Sequence, residues 1–160
     1  VLLGKDRSIN PEVAAMFAAK RIRKAYWAVV RGRWDPRWTR VETRIAHDEA
    51  GKRCRNVVAG GREALSTCRV LAGGADRSWV EVLPKTGRTH QVRLHCLAMG
   101  CPVLGDPLYG EAGPAPIALH AWRLDFRHPV GGGAVRIRAQ PPPYWETLWL
   151  AGLDYAGPLD

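Results

Sequence analysis

No two cysteines of this sequence form a C-x-x-C pair. The four present, Cys54, Cys68, Cys96 and Cys101, are spaced for neither a zinc site nor a dense disulfide framework, so reduced thiols are expected. No apolar run approaches the roughly 20 residues that span a bilayer, and residues 1–20 lack the basic-then-apolar pattern of a secretory signal. The expectation is a cytoplasmic protein with no membrane part. There is no G-x-S-x-G elbow, and "GDPLYG" (105–110) lacks the spaced lysine and hydroxyl residue of a phosphate-binding P-loop, so it reads as a turn. Acid is scarce as well: 15 carboxylates against 24 basic residues leave a formal charge of +9, which makes a polyanion the natural partner, RNA or DNA first. Lysine is the minor base, only Lys5, Lys20, Lys24, Lys52 and Lys85, and the rest are arginines, whose planar fork suits bidentate contacts to phosphates and base edges.

What is there fits one folded domain. At 160 residues the chain holds a single core, and 46% apolar with 24% charged residues is a globular rather than a disordered balance. "INPEVAAMFAAK" (9–20) predicts a short helix with Asn10 as N-cap and Pro11 at its first position. "KAYWAVVRG" (24–32) predicts a strand with Tyr26, Ala28 and Val30 on one face and Trp27 and Val29 on the other. "VETRIAH" (41–47), "EALSTCRVL" (63–71) and "SWVEVLP" (78–84) read as further strands, the last two joined through the glycines of "AGGADR". Residues 48–62 read as a basic hairpin or loop. After Gly87 the apolar period lengthens to that of a helix, with Val92, Cys96 and Met99 on one side and Gly100 as its cap. Strands at "ALHAWRLDF" (118–126) and "AVRIRAQ" (134–140) and a proline-led terminal helix in 141–153 complete an α+β fold: a mixed, largely antiparallel sheet flanked by helices.

Chemistry concentrates in "KTGRTHQVRLH" (85–95). His90 and His95 are five apart, pointing away from each other around a helix, with no cysteine or carboxylate at ligand spacing, so no metal is expected. Arg88, His90, Gln91 and Arg93 gather where a helix begins and its free N–H groups favour phosphate. Arg93 could instead point inward and hold a buried carboxylate. Most tryptophans read as packing, while Trp34 and Trp38, among Arg33, Arg37 and Arg40, are candidates for stacking on unpaired bases.

The run "KTGRTHQVRLHCLAMGCPVLGDPLYG" (85–110) resembles the signature of the RluA-type RNA pseudouridine synthases, T-G-R-T-H-Q-I-R-x-H followed by G-x-P-[IVL]-x-G-D-x-x-Y-G. "VLLGKDRS" with the helix after it, "RKAYWAVVRG" and "ALHAWRLDFRHP" match further family segments in order, so the resemblance covers almost the whole chain. It implies isomerisation of uridine to pseudouridine in structured RNA, ribosomal or transfer, without cofactor or metal, on a nucleotide flipped out of its stack. It implies that Tyr26 stacks on the base and takes part in proton transfer, that Arg93 pairs with a catalytic aspartate, and that Leu119 lies against the target base. Arg88, His90, Gln91 and Lys85 would shape the pocket or contact RNA. The family's cleft would cross the sheet, lined by Tyr26, Arg93 and Leu119, in a protein expected to be monomeric when complete.

The family's catalytic aspartate stands in an H-R-L-D-x-x-T-S-G motif just ahead of the segment matched here by "VLLGKDRS". None of Asp6, Asp35, Asp48, Asp76, Asp106 and Asp125 has that context. The resemblance therefore implies that 1–160 is the C-terminal part of a synthase catalytic domain, lacking its first elements, with the catalytic carboxylate upstream of Val1, no assigned partner for Arg93, and no activity of the chain alone. If an absent early strand neighboured "AYWAVV", that strand would lie at an open edge. The alternative reading is a non-catalytic RNA-binding protein, a degenerate synthase; a weaker third is ribosome assembly through protein contact.

Overall fold

The computed structural model describes residues 7–47, 53–113 and 115–155. The first six residues of the segment matched as "VLLGKDRS", with Asp6, and part of the expected 48–62 loop, with Asp48, lie outside the described residues.

Among the described residues seven strands form one sheet: β1 (Arg23–Arg31), β2 (Arg40–His47), β3 (Cys54–Val57), β4 (Arg62–Gly73), β5 (Arg77–Pro84), β6 (Leu119–Arg127) and β7 (Ala134–Arg138). Their spatial order is β3-β2-β4-β5-β1-β6-β7. Among the described residues every pairing is antiparallel and none is mixed. The strand carrying Tyr26 is bonded on both sides, to β5 and β6, which overturns the conditional expectation of an open edge there. Short β3 falls within the expected hairpin or loop at 48–62: it pairs antiparallel with β2 and lies against α2.

Helix α1 spans Asn10–Ala18 and α2 spans Gln91–Ala98. Asn10 is not the cap of α1: a 3-10 turn at Arg7–Ile9 leads in, Ile9 takes the cap position and Asn10 is already helical. The terminal helix is reduced to a π-helical turn at Glu146–Leu150.

The two faces of the sheet are covered differently, and this explains why Ala28, Val29 and Val30 are all fully buried instead of alternating. On one face α2 lays Val92 and Cys96 over the sheet. On the other, Trp27 stacks on Trp122 at 4.2 Å between centroids and meets Trp79 edge-on at 5.0 Å. Buried Glu81 sits in this aromatic layer, accepting from the Trp122 indole at 3.2 Å and from Arg69 at 3.0 Å, which is what lets a carboxylate stay there. Trp145 and Trp149 are buried, as their sequence context suggests. Trp34 is buried too, 2% exposed, with its indole donating to the Trp38 carbonyl and its own N–H to Ser78 Oγ. It is a packing residue and unavailable for base stacking, contrary to expectation. The four cysteines are free and buried. Among the described residues no helix is long and apolar enough to cross a membrane.

Candidate functional site

Tyr26 enters the site from the middle of β1. The register against β6 shifts between Ala25 and Tyr26, a local irregularity of the kind that re-aims a side chain, and Leu119 opens β6 opposite Ala28 on the same side of the sheet. The Tyr26 ring is half-buried, and burial raises its hydroxyl above the ordinary tyrosine range, so it stays protonated at neutral pH.

The 85–90 turn is fastened to β4 by one buried amide. Gln91, 4% exposed, accepts through Oε1 from Thr86 Oγ1 at 2.8 Å and from the Arg88 N–H at 3.0 Å. Its Nε2 donates to the Leu65 carbonyl at 3.0 Å and to Ser66 Oγ at 3.1 Å. All of its polar capacity is used inside the protein. Arg88 donates Nε to the Glu63 carbonyl at 2.9 Å and is otherwise open to the cavity. Next to it, Lys24 is pressed against Gly87: a Cβ there would come 3.2 Å from the ammonium nitrogen, and burial lowers the lysine below its usual range.

His90 occupies the N-cap of α2 in the left-handed region, φ 55°, where few residues other than glycine sit without cost. Its Nδ1 lies 2.9 Å from the Tyr109 hydroxyl, which also donates to the Cys54 carbonyl at 2.9 Å. With that hydroxyl proton given to Cys54, Nδ1 carries the histidine proton and Nε2 is left as an acceptor. Burial, then the charge of Arg93, lowers the His90 pKa and keeps the ring neutral.

Arg93 has a partner after all. Its Nε donates to Asp106 Oδ2 at 2.7 Å and its Nη2 to Oδ1, while Tyr109 lies under the guanidinium at 4.8 Å. Asp106 is fully buried; Oδ1 also accepts from the Leu108 and Tyr109 N–H groups at 2.9 and 3.1 Å. Burial alone would raise this carboxyl, but the Arg93 bond and the two backbone N–H groups outweigh it and hold Asp106 below the ordinary carboxylate range. The turn that presents Asp106 needs its glycines. Gly105 has φ +68°, and a Cβ on Gly110 would fall 2.8 Å from the Val103 carbonyl.

Tyr26, Leu119, Arg88, His90, Gln91 and Arg93 thus come from three separated segments to line one cavity of about 210 Å³. Lys85 stands apart from it, in the adjoining basic groove. Sequence reasoning placed Asp106 in a separate turn and passed over Tyr109; the tyrosine of the G-D-x-x-Y-G run was the available signal. Ser66 was also missed. It supports His95, which is fully buried with Nδ1 2.9 Å from Ser66 Oγ and whose pKa burial pushes down to about 4.

Comparison with known proteins identifies a family. The family model described as RNA pseudouridylate synthase matches residues 1–98. The chain is 32% identical over 148 residues to ribosomal large subunit pseudouridine synthase C of Vibrio cholerae, covering 87% of this chain and 47% of that protein. Against ribosomal large subunit pseudouridine synthase D of Zymomonas mobilis it is 30% identical, covering 93% of this chain and 51% of the relative. Among solved structures, human RNA pseudouridylate synthase domain containing 1 superposes with a TM-score of 0.74 at 30% identity, covering 90% of this chain and 64% of that one. The chain spans about half the length of the curated relatives it matches.

Proposed function

This chain belongs to the RNA pseudouridylate synthase family, and from that premise we propose that the protein isomerises uridine to pseudouridine in structured RNA, with ribosomal RNA the first substrate to try. The observation that carries the reading is the convergence of Tyr26, Leu119 and Arg93 on one cavity. Its volume, about 210 Å³, is below that of pockets enclosing drug-sized ligands and is on the scale of a single flipped-out base.

In the reaction the N1–C1′ bond of uridine breaks, a C5–C1′ bond forms, C5 loses its proton and N1 gains one. Atoms balance without any added group. Tyr26 stacks on the base and relays the proton through a hydroxyl that burial keeps protonated. Leu119 gives the base an apolar wall, and His90 offers Nε2 as an acceptor. Arg88 binds phosphate, and Gln91 shapes the loop from beneath. The aspartate of the H-R-L-D-x-x-T-S-G motif is not among residues 1–160, so the chain by itself is proposed to bind RNA without converting it.

The test uses RNA tritiated at uridine carbon five, since rejoining through that carbon expels the label. Release by a longer form bearing the motif, and none by residues 1–160, is the expected pair of results. Retention of label by the longer form on its own cell's total RNA would sink the isomerase reading. A second reading, RNA binding without catalysis, has one observation in its favour: Arg93 already uses Nε and Nη2 on Asp106.

A further inference from the structure

Three hollows of this surface run into one another. The Tyr26 cavity shares Lys24, Thr86, Gly87 and Arg88 with a groove of about 390 Å³. That groove shares Lys20 and Arg23 with a wider hollow of about 800 Å³, which opens between the end of α1 and the β6–β7 hairpin. Among the described residues the groove is lined by six cationic side chains and no acidic one, which is where the chain's surplus charge becomes directional.

Several arginines elsewhere on the surface are neutralised, although Arg33, Arg53, Arg55 and Arg138 are exposed and meet no acidic partner among the described residues. Arg31 is paired with Glu111, Arg37 with Asp35, Arg40 with Glu42, Arg44 with Glu63 and Arg77 with Asp76. Along the hollows the pattern reverses: Lys20, Arg21, Arg23, Arg62 and Lys85 are exposed and meet no acidic partner among the described residues. Among the described residues the one carboxylate in the wide hollow, Asp125, is bridged by Arg136 at 2.8 Å and by Arg123 at 3.0 Å.

The sheet sets the direction. Arg23 on β1, Asp125 on β6 and Arg136 on the edge strand β7 are successive partners in one row, so the hollow crosses two interstrand steps, roughly 10 Å, from β1 to the edge. The C-terminal dipole of α1 opposes an anion here, but only weakly and within its last turn, against several unpaired cations.

We propose that RNA flanking the target uridine leaves the Tyr26 cavity along this track, past the end of α1 to the β7 edge, with Arg21 and Arg127 holding its phosphates at the far end. This rests on the RNA-modifying reading above and adds to it a binding surface outside the pocket. RNA is chosen over an acidic peptide because the track is continuous with a cavity of base size.

The experiment is fluorescence anisotropy of a labelled oligouridylate of about twelve nucleotides, titrated into the 160-residue chain between about 50 and 200 mM KCl. Arg21→Gln combined with Arg127→Gln removes the far end of the track; Arg37→Gln combined with Arg40→Gln removes equal charge from the paired surface. Each lost phosphate contact on a single strand reduces the slope of log K against log salt by about 0.7, so the track pair should lower it by about 1.4. The affinity lost between the two salt concentrations then shrinks about sevenfold, while the control pair leaves it unchanged. An unaltered slope in the track pair, with a lowered one in Arg88→Gln, overturns the track and leaves the cavity reading standing. An equal fall in both pairs overturns the track by showing that charge acts diffusely. An oligoglutamate that competes as strongly as the RNA overturns the choice of partner, and no binding by the unmodified chain sinks the track together with the RNA reading it rests on.

Discussion

Removing the Asp106 carboxylate should be among the most damaging single changes this fold can suffer short of its tryptophan core. Asp106→Ala takes the partner from Arg93, whose side chain is only 14% exposed, and strips acceptors from the Leu108 and Tyr109 N–H groups. Breaking a buried pair from one side typically costs about 3–5 kcal/mol, because a charge is left in low dielectric without compensation. With a urea dependence of about 2 kcal/mol per molar, the unfolding midpoint should drop by roughly 1.5–2.5 M. Asp106→Asn, which keeps an acceptor for the turn, should lose about half as much. Arg40→Gln, at an exposed pair with Glu42, is the control and should shift the midpoint by the equivalent of under about 1 kcal/mol. The sign with pH follows from the depressed carboxyl: the pair's contribution is present above the ordinary aspartate pKa and is lost as pH falls through the lowered one. If Asp106→Ala unfolds within about 1 kcal/mol of the parent chain, as a screened surface pair would, the reasoning from burial is refuted.

His95 should make the chain acid-labile in a different window. Its folded pKa of about 4 lies below the unfolded value, so the unfolded state takes up the proton first, and up to about 3 kcal/mol is lost between roughly pH 6.5 and 4; urea midpoints against pH should flatten there in His95→Gln, and an unchanged profile would contradict this. In the longer, motif-bearing form, Tyr26→Phe should slow tritium release by a hundredfold or more, the usual scale of a lost proton-transfer group, with RNA affinity nearly unaltered; a proportional loss of both would reduce Tyr26 to a binding residue. Trp34→Ala should destabilise by about 3–5 kcal/mol, as large core deletions do, and leave RNA affinity unchanged under conditions where it remains folded, whereas weakened binding by the folded variant would return Trp34 to the stacking role.

The strands at 24–32, 41–47, 63–71 and 78–84 were legible because apolar and β-branched residues recur there between turn glycines, and the helix after Gly87 because its apolar period lengthens. Period alone could not show that β1 lies inside the sheet, since Ala28, Val29 and Val30 are buried by layers drawn from distant segments. Trp34 looked exposed amid arginines, but Ser78 and Trp38, 44 and four residues away, draw it inward. The cavity residues were readable as a motif. The Arg93–Asp106 pair was not, because helix and turn meet only when residues 101–106 wrap back across the end of β1, with Leu104 bonded to the Val29 carbonyl.

The place of β1 between two partners also sets a clock. Amide hydrogens in a strand bonded on both sides exchange with solvent only through the larger openings of a domain, while those of single-sided strands such as β3 and β7 escape by local fraying. Deuterium should therefore reach the β7 rim, where flanking nucleotides would arrive, long before it reaches Tyr26. A molecule built this way can let its margin adjust to RNAs of different contour, because that adjustment need not move the ring on which the base would rest.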